Sequence, residues 1–204
     1  MLDLSVIQQH YENALISSNE PGPRVGWRDS SAQSARFDAI LGMLASVDFA
    51  SLSDVGCGTG AFRKYLRESG WAGHYYGIDI SPEMIREASA DATNDVRATF
   101  SAGTVPPPAE VVVASGIFNV SLGHSFSEWA SYCKSTLTTM WNAATRGIVF
   151  NMLSTDSDPE KRNVGLSYFE PSEWLTYARS TFSTSVRFDQ AYEMYDFTLA
   201  IFKK

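Results

Sequence analysis

Gly56, Gly58 and Gly60 occupy alternate positions in SDVGCGTG, residues 53–60, between an apolar run and a run of helical character. Glycine inside an element costs stability, so this spacing marks a sharp bend or a place where a ligand lies against bare backbone. The pattern is not the G-x-G-x-x-G of dinucleotide sites, because Ala61 follows Gly60, and no Gly-Lys-Ser/Thr closes a phosphate-binding loop. Nineteen residues beyond Gly60, Asp79 ends the segment HYYGID. One helix and one strand fill that interval, and a carboxylate at a strand tip can accept two hydrogen bonds from ribose hydroxyls. The glycine turn and Asp79 together point to a ligand with a ribose.

These residues need a scaffold that brings strand tips together. The spacing predicts a helix over 3–18, a Pro/Gly loop, and a second helix from Ser30 or Ser31 with Phe37, Ile40, Leu41 and Leu44 on one stripe. Strands follow at 50–55, 73–79, 96–101, 109–115 and 146–152, with helices at 60–69, 82–91 and 126–144. Ser81-Pro82-Glu83 reads as a helix start, serine as cap and proline at the first helical position. Trp129, Cys133, Met140 and Trp141 share one side of helix 126–144, as in a helix packed on a sheet. A helix over 171–180 and two adjacent strands, 183–189 and 193–202, close the chain. The expected fold is α/β: a doubly wound, mostly parallel, Rossmann-like sheet with a C-terminal antiparallel hairpin. Residues 1–204 are expected to form a single domain, with 1–30 as an N-terminal helical cap or lid.

Composition narrows the function. The 204 residues are 44% apolar and 13% aromatic, as in a globular protein. No apolar run reaches the roughly 20 residues of a membrane span, and the first residues lack a signal peptide's pattern, so a cytoplasmic location is expected. A net charge of −7 argues against general affinity for nucleic acid. Two widely spaced cysteines and three scattered histidines give no metal set.

LSDVGCGTG and YYGIDISPEMI resemble the first two motifs of class I S-adenosylmethionine-dependent methyltransferases, and the terminal hairpin resembles their last two strands. The likeness covers nearly the whole chain. It implies S-adenosylmethionine as cofactor, its methionine moiety along Gly56, Gly58 and Gly60, its ribose on Asp79, and its adenine flanked by Ile80 and Met84. Asp54 would order the glycine turn or receive the cofactor's ammonium. Val25-Gly26-Trp27, Ser31 to Phe37, ASGIFN (114–119) and FNML (150–153) resemble a narrower group of bacterial small-molecule methyltransferases. There are departures: Thr104 stands where many relatives carry an adenine-binding acid. ASGIFNV is no Asn-Pro-Pro-Tyr motif, and a Pro-Cys nucleophile is lacking, which argues against methylation of nucleic acid bases.

Methyl transfer demands alignment first, and a base where a hydroxyl acceptor keeps its proton. His124 and Asn119, in the segment after the fourth strand near Ser115, are the candidate catalytic residues. Asn119 is either a polar site residue or a loop-ordering one. Tyr11, Trp27 and Arg36 are expected to close over the cofactor, with Arg36 pairing its carboxylate, and Ser115 and Thr104 to lie at its edge. Tyr168, Phe169, Tyr192 and Tyr195 either wall an acceptor pocket or belong to the core. The expected partner is a small-molecule acceptor, with oxygen preferred over nitrogen. A cofactor-binding subunit without catalysis is the alternative of a different class.

Overall fold

A computed structural model of the chain describes residues 2–17, 30–190 and 195–204. Two helices, α1 (Ser5–Ser17) and α2 (Ser30–Leu44), precede an alternating series: β1 (Ser51–Val55), α3 (Ala61–Glu68), β2 (His74–Asp79), α4 (Pro82–Asp91), β3 (Ala98–Ala102) and β4 (Ala109–Ala114). Then come α5 (Phe126–Ala143), β5 (Ala144–Leu153), a 3-10 turn (Pro159–Lys161), α6 (Pro171–Thr181), β6 (Val186–Asp189) and β7 (Asp196–Phe202). The loop predicted between the first two helices, the segment Val25-Gly26-Trp27 within it, and Tyr192 lie outside the described residues.

The seven strands form one sheet in the order β3-β2-β1-β4-β5-β7-β6. All neighbours pair in parallel except β7, which runs antiparallel to both β5 and β6. Strand order reverses between β1 and β4, the place where sheets of this kind open a crevice at their carboxyl ends.

Side-chain alternation sorts the core into two layers. On β4, Val111 and Val113 pack with Phe37, Ile40 and Leu44 of α2 and Phe62 and Leu66 of α3. Val112 and Ala114 face the other layer, with Trp129, Cys133, Leu137 and Met140 of α5 and Trp174 and Ala178 of α6. β7 follows the same rule: Ala200 joins the first layer, Leu199 and Ile201 the second. Helix starts are set locally. The Ser81 hydroxyl accepts the Met84 N–H and Pro82 opens α4, as the sequence predicts. Ser125 and Glu128 close a capping box on α5.

Candidate functional site

The chain leaves β1 through three residues in the left-handed region, Gly56 at φ +73°, Gly58 at +53° and Gly60 at +80°. The N–H groups of Gly56 and Cys57 both donate to the Ile78 carbonyl, at 2.7 and 3.0 Å, which pins the turn to the end of β2. At Gly56 space is a second constraint, since a Cβ there would come within 2.1 Å of Ile117 Cγ2. Gly60 opens α3 without a side-chain cap. The start of that helix, at Ala61 and Phe62, faces the cavity described below. Uncapped first-turn N–H groups suit an anionic group.

Asp79 holds this turn in shape. Its Oδ2 accepts the Gly58 N–H at 2.9 Å and its Oδ1 accepts the Ser81 N–H at 2.9 Å. A carboxylate offers about four lone-pair positions, so both oxygens retain capacity for hydroxyl donors. Burial raises the Asp79 pKa, and the backbone N–H donors oppose it. Ser81 in turn donates its hydroxyl to Glu12 Oε1 at 2.9 Å, tying α1 to this edge. Asp54, one strand over, is 2% exposed. Its Oδ2 accepts the Tyr75 hydroxyl, and burial pushes its pKa up to about 7.

Around these groups lies a cavity of about 460 Å³, within the range of small-molecule sites. Gly56, Gly58, Asp54, Asp79, Ile80, Met84, Thr104 and Ser115 line one end. Tyr11 and Arg36 line it from α1 and α2, and Asn119 from the segment after β4. Gly60 turns the chain without forming wall. Burial raises the pKa of Tyr11, with Asp79 and Tyr132 adding to the effect. At the other end Leu153, Leu166, Tyr168, Tyr195, Asn163 and Lys161 form a mixed apolar, phenolic and polar wall. In it Lys161 pairs with Asp158 at 2.8 Å and donates to the Tyr195 hydroxyl at 2.9 Å. Phe169 is core instead, wholly buried against Trp174 and Phe126. Of the predicted cofactor residues, Trp27 alone lies outside the described residues.

His124 stands apart from the cavity wall. Its ring does not line the cavity; it stacks on Trp129 with 6.0 Å between ring centres and 11° between planes. Trp129 does line the cavity, and its indole N–H donates to the Phe118 carbonyl at 2.7 Å. The Nε2 of His124 is buried with no hydrogen-bond partner among the described residues. Of the loop after β4, Ser115, Gly116, Ile117, Asn119 and Val120 line the cavity and position 124 does not.

Arg36 and Asn119 reach the cavity already engaged. The Arg36 guanidinium donates to both oxygens of Asp196, at 3.0 Å from Nε and 2.6 Å from Nη2, and to the Ala32 carbonyl at 2.9 Å. Arg36 and Asp196 are 5% and 0% exposed, so this is a buried ion pair joining α2 to the start of β7. Asn119 Oδ1 accepts the Leu153 N–H at 3.1 Å, and the Asn119 side chain also hydrogen-bonds Asp196. Burial still holds the Asp196 pKa above the usual range. Sequence reading missed Asp196 and Tyr75. A signal for Tyr75 existed: Tyr75, Gly77 and Asp79 alternate on one face of β2.

Residues 53–140 match a family described as a methyltransferase domain. The Mycobacterium tuberculosis methyltransferase candidate Rv1506c is 37% identical over 154 residues, covering 75% of this chain and 93% of that protein. Among solved structures, magnesium protoporphyrin IX methyltransferase from Synechocystis PCC 6803, with bound S-adenosylhomocysteine, superposes with a TM-score of 0.66. Identity is 13%, over 99% of this chain and 100% of that one. The N-methyltransferase NodS from Bradyrhizobium japonicum WM9, also bound to S-adenosylhomocysteine, gives 0.65 at 15% identity, over 96% of each chain.

Proposed function

This chain belongs to the class I S-adenosylmethionine-dependent methyltransferases, and we propose that it methylates an oxygen atom of a small molecule held between α1, α2 and the segment that follows β5. The observation that carries this reading is one continuous cavity, with the glycine turn and Asp79 at one end and Lys161, Tyr168 and Tyr195 at the other. The cofactor supplies a methyl group activated by a positively charged sulfur.

Each wall residue takes a role in this proposal. Asp79 receives the ribose hydroxyls on lone pairs that Gly58 and Ser81 leave unused. Ile80, Met84 and Thr104 bound the adenine. Gly56 and Gly58 present bare backbone to the methionine moiety, Asp54 receives its ammonium, and the N-terminus of α3 faces its carboxylate. Ser115 and Asn119 border the space between cofactor and acceptor. Arg36 has Asp196 as its partner, so in this reading it shapes the wall rather than clamping the cofactor.

No histidine lines the cavity among the described residues. The chain's contribution in this reading is therefore alignment and exclusion of water. An oxygen ionised before it binds, such as a carboxylate or an acidic phenol, needs no base. Arg36 and Lys161 on the wall are already paired, with Asp196 and with Asp158, so in this reading the attraction for such an anion comes from the cofactor's positively charged sulfur. α1 acts as the lid: Leu4, Ile7 and Tyr11 form the roof, and Glu12 holds it to Ser81.

Calorimetry with S-adenosylmethionine and S-adenosylhomocysteine tests the cofactor site, and transfer of labelled methyl to a panel of acids, phenols and amines tests the acceptor. Binding of both cofactor forms and label in esters or aryl ethers is expected. Label appearing only on amines would replace oxygen with nitrogen.

A further inference from the structure

Tyr75 lies outside the cavity, wholly buried near the start of β2, yet its hydroxyl ends on a residue of the cavity wall. That residue is Asp54 on the neighbouring strand, whose Oδ2 accepts the hydroxyl at 2.5 Å. We propose that Tyr75 is a positioning residue for the methyl donor: its hydroxyl fixes the Asp54 carboxylate as an ionised group, with Oδ1 left to the ammonium of the donor's amino-acid end. This rests on the methyl-donor reading of the cavity.

Three observations support it. In the parallel register Asp54 lies opposite Gly77, so Tyr75, two residues earlier on the same face of β2, reaches it diagonally. The space above Gly77 is needed, because a Cβ there would come within 2.5 Å of the Phe100 ring and 2.8 Å of Cys57 Sγ. Phe100 in turn packs on Tyr75 with 5.7 Å between ring centres, which fixes the phenol's direction. A phenol with no solvent contact and one carboxylate partner is an arrangement that orients that carboxylate.

The electrostatic setting makes the bond matter. Burial raises the Asp54 pKa to about 7; the Asp79 charge pushes the same way, and the Tyr75 hydroxyl is the group pulling it down. The remaining titratable neighbours are Cys57 on the turn, whose own pKa burial raises, and Arg63 of α3, which acts on Tyr75. An ammonium bound at Oδ1 favours the ionised form, so donor binding should weaken below neutrality. Removing the hydroxyl should move that acid limb upward in pH.

The test is Tyr75→Phe, which deletes one oxygen and keeps the ring against Phe100. S-adenosylhomocysteine carries the ammonium, whereas 5′-methylthioadenosine has the same nucleoside without the amino-acid end. Calorimetry from pH 6 to 9 should show S-adenosylhomocysteine about five- to tenfold weaker at pH 7, a gap that narrows toward pH 8.5. 5′-Methylthioadenosine should stay within about twofold of wild type. Asp54→Asn should abolish the acid limb, and adding Tyr75→Phe to it should cause no further loss. Equal weakening of both ligands, or wild-type binding of S-adenosylhomocysteine at every pH, would overturn the proposal while leaving the cofactor site standing. If wild-type protein fails to bind S-adenosylhomocysteine, the cofactor reading itself falls.

Discussion

Asp79 and Gly58 are joined across 21 residues of chain by a 2.9 Å hydrogen bond from the glycine N–H to Oδ2. One carboxylate thus fixes the shape of the glycine turn and, in our reading, receives the ribose. Asp79→Ala removes both, and hydrogen bonds to a charged group contribute about 1.5–3 kcal/mol. The substitution should weaken S-adenosylhomocysteine by roughly 10- to 100-fold in calorimetry. A folded Asp79→Ala protein with unchanged affinity would remove Asp79 from the site.

Gly56 and Gly60 have similar backbones and different surroundings. Alanine at either must adopt a left-handed φ, which costs about 1–2 kcal/mol. At Gly56 the new methyl also meets Ile117 Cγ2 at 2.1 Å, whereas at Gly60 the nearest atom is Phe100 at 3.2 Å. Gly56→Ala should therefore lower unfolding free energy in urea more than Gly60→Ala. It should also weaken cofactor binding more, since Gly56 lines the cavity and Gly60 does not. Equal losses at the two positions would show that backbone strain alone decides.

The elements were legible because each announced itself locally. Ser81-Pro82 starts α4, the buried valine run 111–113 forms β4, and the spacing from Gly60 to Asp79 holds one helix and one strand. The meeting of the glycine turn and Asp79 at the candidate site was legible for the same reason: they sit on adjacent strand tips. Long-range pairings were not. Arg36 and Asp196 are separated by 160 residues, and nothing near either predicts a bidentate pair. The stacking of His124 on Trp129 was likewise not legible, because position 124 lies in an irregular segment just before the Ser125 cap of α5.

The Arg36–Asp196 pair gives a stability prediction. Truncating one partner of a buried ion pair leaves an uncompensated charge, at a typical cost of 3–5 kcal/mol, whereas apolar replacement of both is far milder. Asp196→Ala should therefore unfold at much lower urea, and Arg36→Met with Asp196→Leu should recover a large part of the loss. Additive losses in the double variant would mean the two residues act independently.

Asp54 predicts how stability of the cofactor-free protein changes with pH. Its pKa rises from the ordinary 3.8 to about 7 on folding, so between these values the folded state binds the extra proton. Stability must then fall as pH climbs through that window, by up to about 4 kcal/mol from this one group. Asp54→Asn lacks the titration. The stability difference, wild type minus variant, should shrink from pH 5 to about pH 7 and level off by pH 8 in urea titrations, and a flat difference throughout would contradict the raised pKa.

His124 supplies the sharpest separation between sequence proximity and chemistry. A true general base typically contributes about 10²–10⁴-fold in rate and must reach the proton it removes. His124 does not line the cavity; it stacks on Trp129, whose indole is held by its bond to the Phe118 carbonyl. His124→Ala should thus leave turnover within about threefold and cofactor affinity unchanged, while the melting temperature falls because Trp129 loses its stacking partner. Its pH–rate profile should superpose on that of wild type. A loss of 10²-fold or more, with the acid limb of that profile gone, would mean that α5 and its preceding loop rearrange on acceptor binding and carry the imidazole into the cavity.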